Sequence, residues 1–215
     1  MVGLTLVTGI ADALGVLALG GAFSSVMTGN MVLLGLSAGT LDAQLAISAS
    51  SAIGAYIIGV LAGSRIAGVP DPSDSVWPRQ VTWALTVELV AMLGFLVYWE
   101  ALSGKDIGAT AQLLMLMILA AALGIQGSAV QRFGVPGLSS TYLTGTLTGL
   151  IAGMATRRPW SSLVPSAKLL VALIVGSCVG AAVIVHLPRL APIVLVVPLV
   201  AVVIGGMALD RRRPV

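Results

Sequence analysis

Charge is what this sequence has least of. Its 215 residues include 11 Lys and Arg and 8 Asp and Glu, 9% in all, against 58% hydrophobic residues. That balance cannot cover the surface of a water-soluble domain, and a mean hydropathy of +1.07 agrees. Cysteine occurs once, at Cys178, which excludes a disulfide framework and a paired-thiolate metal site; within an apolar run it reads as a small helix-packing residue. Histidine also occurs once, at His186, so neither a His-pair metal motif nor a Ser, His and Asp set at one depth is available. No Gly-rich loop leads into a Lys for nucleotide phosphates. These absences predict no enzyme, no cofactor and no metal. The net charge of +3 sits in scattered loops without interleaved aromatics, a pattern that fits membrane orientation and predicts no nucleic-acid partner.

What the sequence has is a series of long apolar runs. A spanning helix needs about 20 apolar residues, and the runs 2–20, 41–63, 81–99, 109–131, 165–187 and 191–209 meet that length. They predict an all-α polytopic membrane protein, a single transmembrane domain over 1–215 whose partner is the lipid bilayer. The first run lacks a basic leader, carries Asp12 and continues straight into polar residues, so it reads as a retained helix and not as a signal peptide. Thr5, Thr8 and Asp12 fall on one face of it, which should look inward. Gly54, Gly59 and Gly63 in the 41–63 run allow close helix packing. The longest loop, 64–80, holds three prolines and four charges, enough to stop a helix.

Two polar stretches interrupt the apolar pattern. Phe23-Ser24-Ser25-Val26-Met27-Thr28-Gly29-Asn30 lies in the first half, and Gly137-Leu138-Ser139-Ser140-Thr141-Tyr142-Leu143-Thr144-Gly145-Thr146 in the second. They align without a gap from Gly21 against Gly137 to Asn30 against Thr146. The later segment Val87-Glu88-Leu89-Val90-Ala91 aligns more weakly with Val197-Pro198-Leu199-Val200-Ala201. Internal repetition of this kind marks many transporter folds, and it divides the chain into repeat 1, 1–106, and repeat 2, 107–215. Each repeat has three spanning helices and a short apolar segment, 24–38 or the piece ending at Met154.

Counting Lys and Arg per face decides how the repeats run, because cytoplasmic loops carry the excess. If each short segment re-enters from its own side, nine basic residues fall on one face and two on the other; if the short segments cross fully, the division is seven against four. The first solution is the better one. It predicts six spans, two inverted repeats, a broken or re-entrant helix at each Thr-Gly-(Asn or Thr) motif, and both termini in the cytoplasm.

A polar stretch at membrane depth survives only where protein or a water-filled cavity surrounds it. The candidate substrate-binding residues are therefore Asp12, Ser24, Ser25, Thr28, Gly29, Asn30, Gln126, Ser140, Thr141, Thr144, Gly145 and Thr146. Asp12, an ionisable residue inside a span, is the sharpest of these and a proton-coupling candidate; Glu88, seven residues inside its own span, is the second. The competing reading of the hydroxyls and amides is that they satisfy the broken backbone and bind helices together.

Several of these residues carry a resemblance. Thr8-Gly9-Ile10-Ala11-Asp12-Ala13-Leu14, Leu17 to Phe23, Met27-Thr28-Gly29-Asn30 and Leu33-Leu34-Gly35 resemble the opening signature of the YoaK-like bacterial membrane proteins, a domain of unknown function. Gln126 to Arg132, Phe133 to Pro136 and Thr141 to Leu147 resemble its second signature. Gly127-Ser128 depart from it, since a polar residue such as Asn is expected beside Gln126. The resemblance implies a protein of the bacterial inner membrane and supplies no substrate. The physical reading expects a small secondary transporter or permease for a small polar or anionic solute. A non-transporting scaffold or partner subunit, or a channel, is the alternative, and small residues on helix faces permit a homodimer.

Overall fold

The computed structural model describes residues 1–70, 77–105, 107–133 and 143–211, with side chains through residue 208. Eight α-helices follow one another: α1 (Val2–Ala18), α2 (Met27–Thr40), α3 (Ala43–Ala67), α4 (Arg79–Leu102), α5 (Ala109–Gln131), α6 (Leu143–Ala155), α7 (Trp160–His186) and α8 (Ala191–Arg211). A short 3-10 turn, Pro188–Leu190, leads into α8, and no strand occurs among the described residues.

Five helices, α3, α4, α5, α7 and α8, are long and apolar enough to cross a membrane. At 17 residues, α1 is a turn shorter than a typical span. The helices match the apolar runs closely, with two shifts. The first run stops being helical at Ala18, because Gly20 and Gly21 take φ of 98° and 81°, a left-handed conformation that glycine tolerates and that ends a helix. The helix expected at 165–187 begins at Trp160, with Pro165 inside it.

The core lies where α5 meets α1, α3 and α4, and where α1 meets α7 and α8. Leu4, Ile10 and Leu14 of α1, Leu85, Met92 and Phe95 of α4, and Leu116, Leu119 and Leu123 of α5 are fully enclosed. Two crossings are closer than side chains normally allow. On α3, a Cβ at Gly59 would strike the Ala121 carbonyl, and one at Gly63 would lie 2.8 Å from Ile125 Cα. On α7, a Cβ at Gly176 would strike the Leu6 carbonyl, and one at Gly180 would lie 3.0 Å from Ile10 Cα. Small residues let backbones approach, and close approach is the main source of helix association where lipid removes the hydrophobic drive. The expectation for Gly59 and Gly63 holds. Gly54 differs, since it faces open space. Cys178 is likewise exposed rather than packed between helices.

The contacts fix helix directions. Leu6 and Ile10 meet Gly176 and Gly180 in the same order, so α1 and α7 are parallel; Gly59 and Gly63 meet Ala121 and Ile125 in the same order, so α3 and α5 are parallel. By contrast, Leu4 and Thr8 lie beside Gln126, while Gly15 lies beside Leu116. That makes α1 and α5 antiparallel.

Candidate functional site around Asp12

After Ala18 the chain does not continue outward. Gly20 and Gly21 turn it back, and the segment that follows runs down the side of α1. Ala22 and Ser24 lie against Gly15, where a Cβ would meet the Ala22 carbonyl at 2.5 Å and the Ser24 nitrogen at 3.3 Å. One turn further down, Ser25 reaches Asp12. Gly15 is a residue whose role the sequence pattern did not reveal, because its need for a bare Cα arises from a segment that folds back on it. Gly20 is bounded similarly, by the Ser48 hydroxyl of α3.

The Asp12 side chain is buried and fully engaged. Its Oδ1 accepts the Ser25 main-chain N–H at 2.7 Å and the Ser24 hydroxyl at 3.3 Å, and its Oδ2 accepts the Ser25 hydroxyl at 2.6 Å. Asp12 stands ten residues beyond Val2, about 15 Å along the helix axis at 1.5 Å per residue. The linker therefore runs back along α1 to the level of Asp12 before α2 begins at Met27.

The start of α2 is pinned by Asn30. Its Nδ2 donates to the Phe23 carbonyl at 2.7 Å, and its Oδ1 accepts the Phe23 N–H at 2.9 Å. Both polar ends of the amide are thus committed to the two main-chain groups of one residue, which satisfies a backbone that no helix pairs. Gly29 packs beneath the Phe23 ring, 3.2 Å from where its Cβ would be. Thr28 is exposed.

Below Asp12 on the same face of α1, Thr8 accepts a hydrogen bond from Gln126 Nε2 at 2.9 Å and donates to the Leu4 carbonyl at 3.0 Å. Thr5, Thr8 and Asp12 are all buried, as the helical spacing required. Of the expected site residues, Asp12, Ser24 and Ser25 form one cluster, Asn30 and Gly29 brace its entry, and Gln126 joins α1 one turn away. Thr146 is buried, while Thr144 and Gly145 are exposed. Ser140 and Thr141 lie outside the described residues.

Glu88 is fully buried within α4, nine residues beyond Arg79, which is again ~14 Å along the axis. Neither of its carboxyl oxygens has a hydrogen-bond partner among the described residues. Arg132, just past the end of α5, donates from Nη1 to the Ala67 carbonyl at 2.6 Å and closes the C-terminus of α3. No group of three or more His, Cys, Asp or Glu side chains suited to a metal ion occurs among the described residues.

A family model described as "Protein of unknown function (DUF1275)" matches residues 1–205. The chain belongs to this family. Among DUF1275-like proteins, the UPF0700 transmembrane protein YoaK of Bacillus subtilis (strain 168) is 33% identical over 156 residues, 72% of this chain and 65% of the relative. The match thus spans just under two thirds of that relative's length. No solved structure matches the chain. The DUF1275 match covers Asp12, the returning linker, Glu88 and Gln126 together. With five helices of spanning length and a relative described as transmembrane, this is a multi-pass membrane protein.

Proposed function

We propose that the protein is a small secondary transporter, built from the inverted repeats 1–106 and 107–215, that moves a small polar or anionic solute with Asp12 as its proton-coupling group. The observation that carries the reading is the return of the linker to Asp12, ten residues inside α1. Broken helices that begin near the bilayer centre are where transporters of this architecture bind their solutes, and an ionisable group inside a span marks a proton or ion path.

Helix direction supports the inverted arrangement. Since α5 runs parallel to α3 and antiparallel to α1, α1 and α3 run in opposite directions, and the linker with α2 between them leaves and rejoins one face. The two close crossings also correspond residue for residue: Gly9 answers to Gly124, Ile10 to Ile125, Gly59 to Gly176 and Gly63 to Gly180. Exchange of the repeats carries one crossing onto the other. In this scheme protonation of Asp12 weakens its hold on the two serines and frees Ser24, Ser25 and the first turn of α2 for solute. Glu88, at similar depth on α4, is a second proton-carrying group. In this reading six spans leave both termini on one face, and the Lys and Arg excess makes that face the cytoplasmic one.

A scaffold reading has one specific observation in its favour. The polar groups of Asn30 and Ser25 are already satisfied by neighbours within the same repeat, as packing alone would require. Binding separates the two. The purified protein is melted against a panel of small metabolites at several pH values, beside Asp12→Asn. A solute that raises the melting temperature of the wild type in a pH-dependent manner, and not that of Asp12→Asn, supports transport; the absence of any stabilising solute across the panel supports the scaffold.

A further inference from the structure

One groove on the outer surface remains unused by the site at Asp12. It lies between the N-terminal parts of α1 and α7, has a volume of about 480 Å³, and is walled by apolar side chains including Val2, Leu6, Val171 and Val175. Val2, Val171 and Val175 are substantially exposed, so the groove opens toward lipid and not into the core. Trp160 and Lys168 complete its lining, and Lys168 is the single charged residue there.

Position along the membrane normal gives these two residues meaning. The 27 residues of α7 are ~40 Å long, about 10 Å more than the hydrocarbon layer. Ser161, Ser162, Ser166 and Lys168 fall in its first third, whereas Leu169 to Val185 contains only Ser177 and Cys178 besides apolar residues and glycine. The excess length is therefore at the N-terminal end, and Lys168 stands at the boundary. The parallel packing of α1 on α7 sets Val2 beside Ala172, so α1 starts about one turn inside that boundary. Arg157 and Arg158, immediately before α7, add two cations on that side.

We propose that this groove holds an acyl chain of an anionic glycerophospholipid whose phosphate is bound by the Lys168 ammonium. The lysine stem lies along apolar wall while its charge reaches the headgroup, and the Trp160 indole sits at the interface it prefers. A zwitterionic headgroup carries its own cation and gains less from Lys168, so headgroup charge gives the selectivity. A second surface groove, between α2 and α3 and walled by Met27, Met31, Tyr56 and Val60 among others, has a volume of about 320 Å³ and no charged lining. That groove shows no headgroup preference on the same physical grounds.

Native mass spectrometry of the full chain, released from micelles containing equal amounts of phosphatidylglycerol and phosphatidylcholine, tests this. The wild type retains phosphatidylglycerol selectively; Lys168→Ala lowers that selectivity roughly five-fold, and Lys168→Arg restores it. Quenching of Trp160 by brominated lipid, with Trp77, Trp83 and Trp99 replaced by Phe, reads the same site by location: brominated phosphatidylglycerol quenches at a lower mole fraction than brominated phosphatidylcholine. Equal retention by wild type and Lys168→Ala, or equal quenching by the two lipids, overturns the proposal.

Discussion

Ser25 grips the Asp12 carboxyl with both of its donors, the main-chain N–H on Oδ1 at 2.7 Å and the hydroxyl on Oδ2 at 2.6 Å. Ser24 adds a longer contact of 3.3 Å. Ser25→Ala keeps the main-chain bond and loses the short hydroxyl bond to the buried carboxylate, which should cost about 1–3 kcal/mol of stability, and Ser24→Ala distinctly less. Denaturation in mild detergent ranks the two variants. A larger loss for Ser24→Ala would show that the Ser24 contact, and not the Ser25 hydroxyl, carries the hold on Asp12.

Asn30 serves both main-chain groups of Phe23 with its side-chain amide. Truncation in Asn30→Ala leaves the part-buried N–H and C=O of Phe23 without these partners, at up to about 1–3 kcal/mol each. Asn30→Asp keeps the acceptor but loses the donor, so its melting temperature should fall between those of the wild type and Asn30→Ala.

The close crossings predict a contrast among glycines. Gly59→Ala and Gly176→Ala force a methyl group into the Ala121 and Leu6 carbonyls respectively, and overpacking of this kind costs about 1–3 kcal/mol. Gly54→Ala, on the same helix as Gly59 but facing open space, should change stability by no more than ~0.5 kcal/mol. Equal losses at Gly54 and Gly59 would contradict the packing of α3 on α5.

Glu88 separates stability from function. Its oxygens lack partners among the described residues, and removing a buried polar group that makes no hydrogen bond relieves a desolvation cost. Glu88→Leu should therefore melt at or above the wild-type temperature while proton-linked solute movement falls. A strongly destabilised Glu88→Leu with normal transport would assign the residue to packing alone.

Much of the helical layout was legible because apolar runs of membrane length are bounded by proline, glycine and charge. The 109–131 run is α5 to the residue, and the inward face of α1 followed from the spacing of Thr5, Thr8 and Asp12. Asp12 stood out for the same reason, as a charge where none is tolerated without purpose. Its partners were less visible. That Ser25 meets Asp12 depends on two left-handed glycines reversing the chain, and that Asn30 spends its amide on Phe23 depends on where the reversal ends. Arg132 lies just past α5, and its partner, the Ala67 carbonyl at the end of α3, was hidden because 65 residues separate the two. Gly54 and Cys178 were misread because a small residue in an apolar run looks the same whether it faces a helix or lipid.

Uptake into sealed proteoliposomes, driven only by an imposed pH gradient with the solute at equal concentration on both sides, tests the central claim most directly. The solute should be the one that stabilises the purified protein. Accumulation against its own gradient in the wild type, its loss in Asp12→Asn with the fold intact, and its collapse when a protonophore removes the pH gradient are the predicted results. Accumulation by Asp12→Asn equal to that of the wild type would contradict the account.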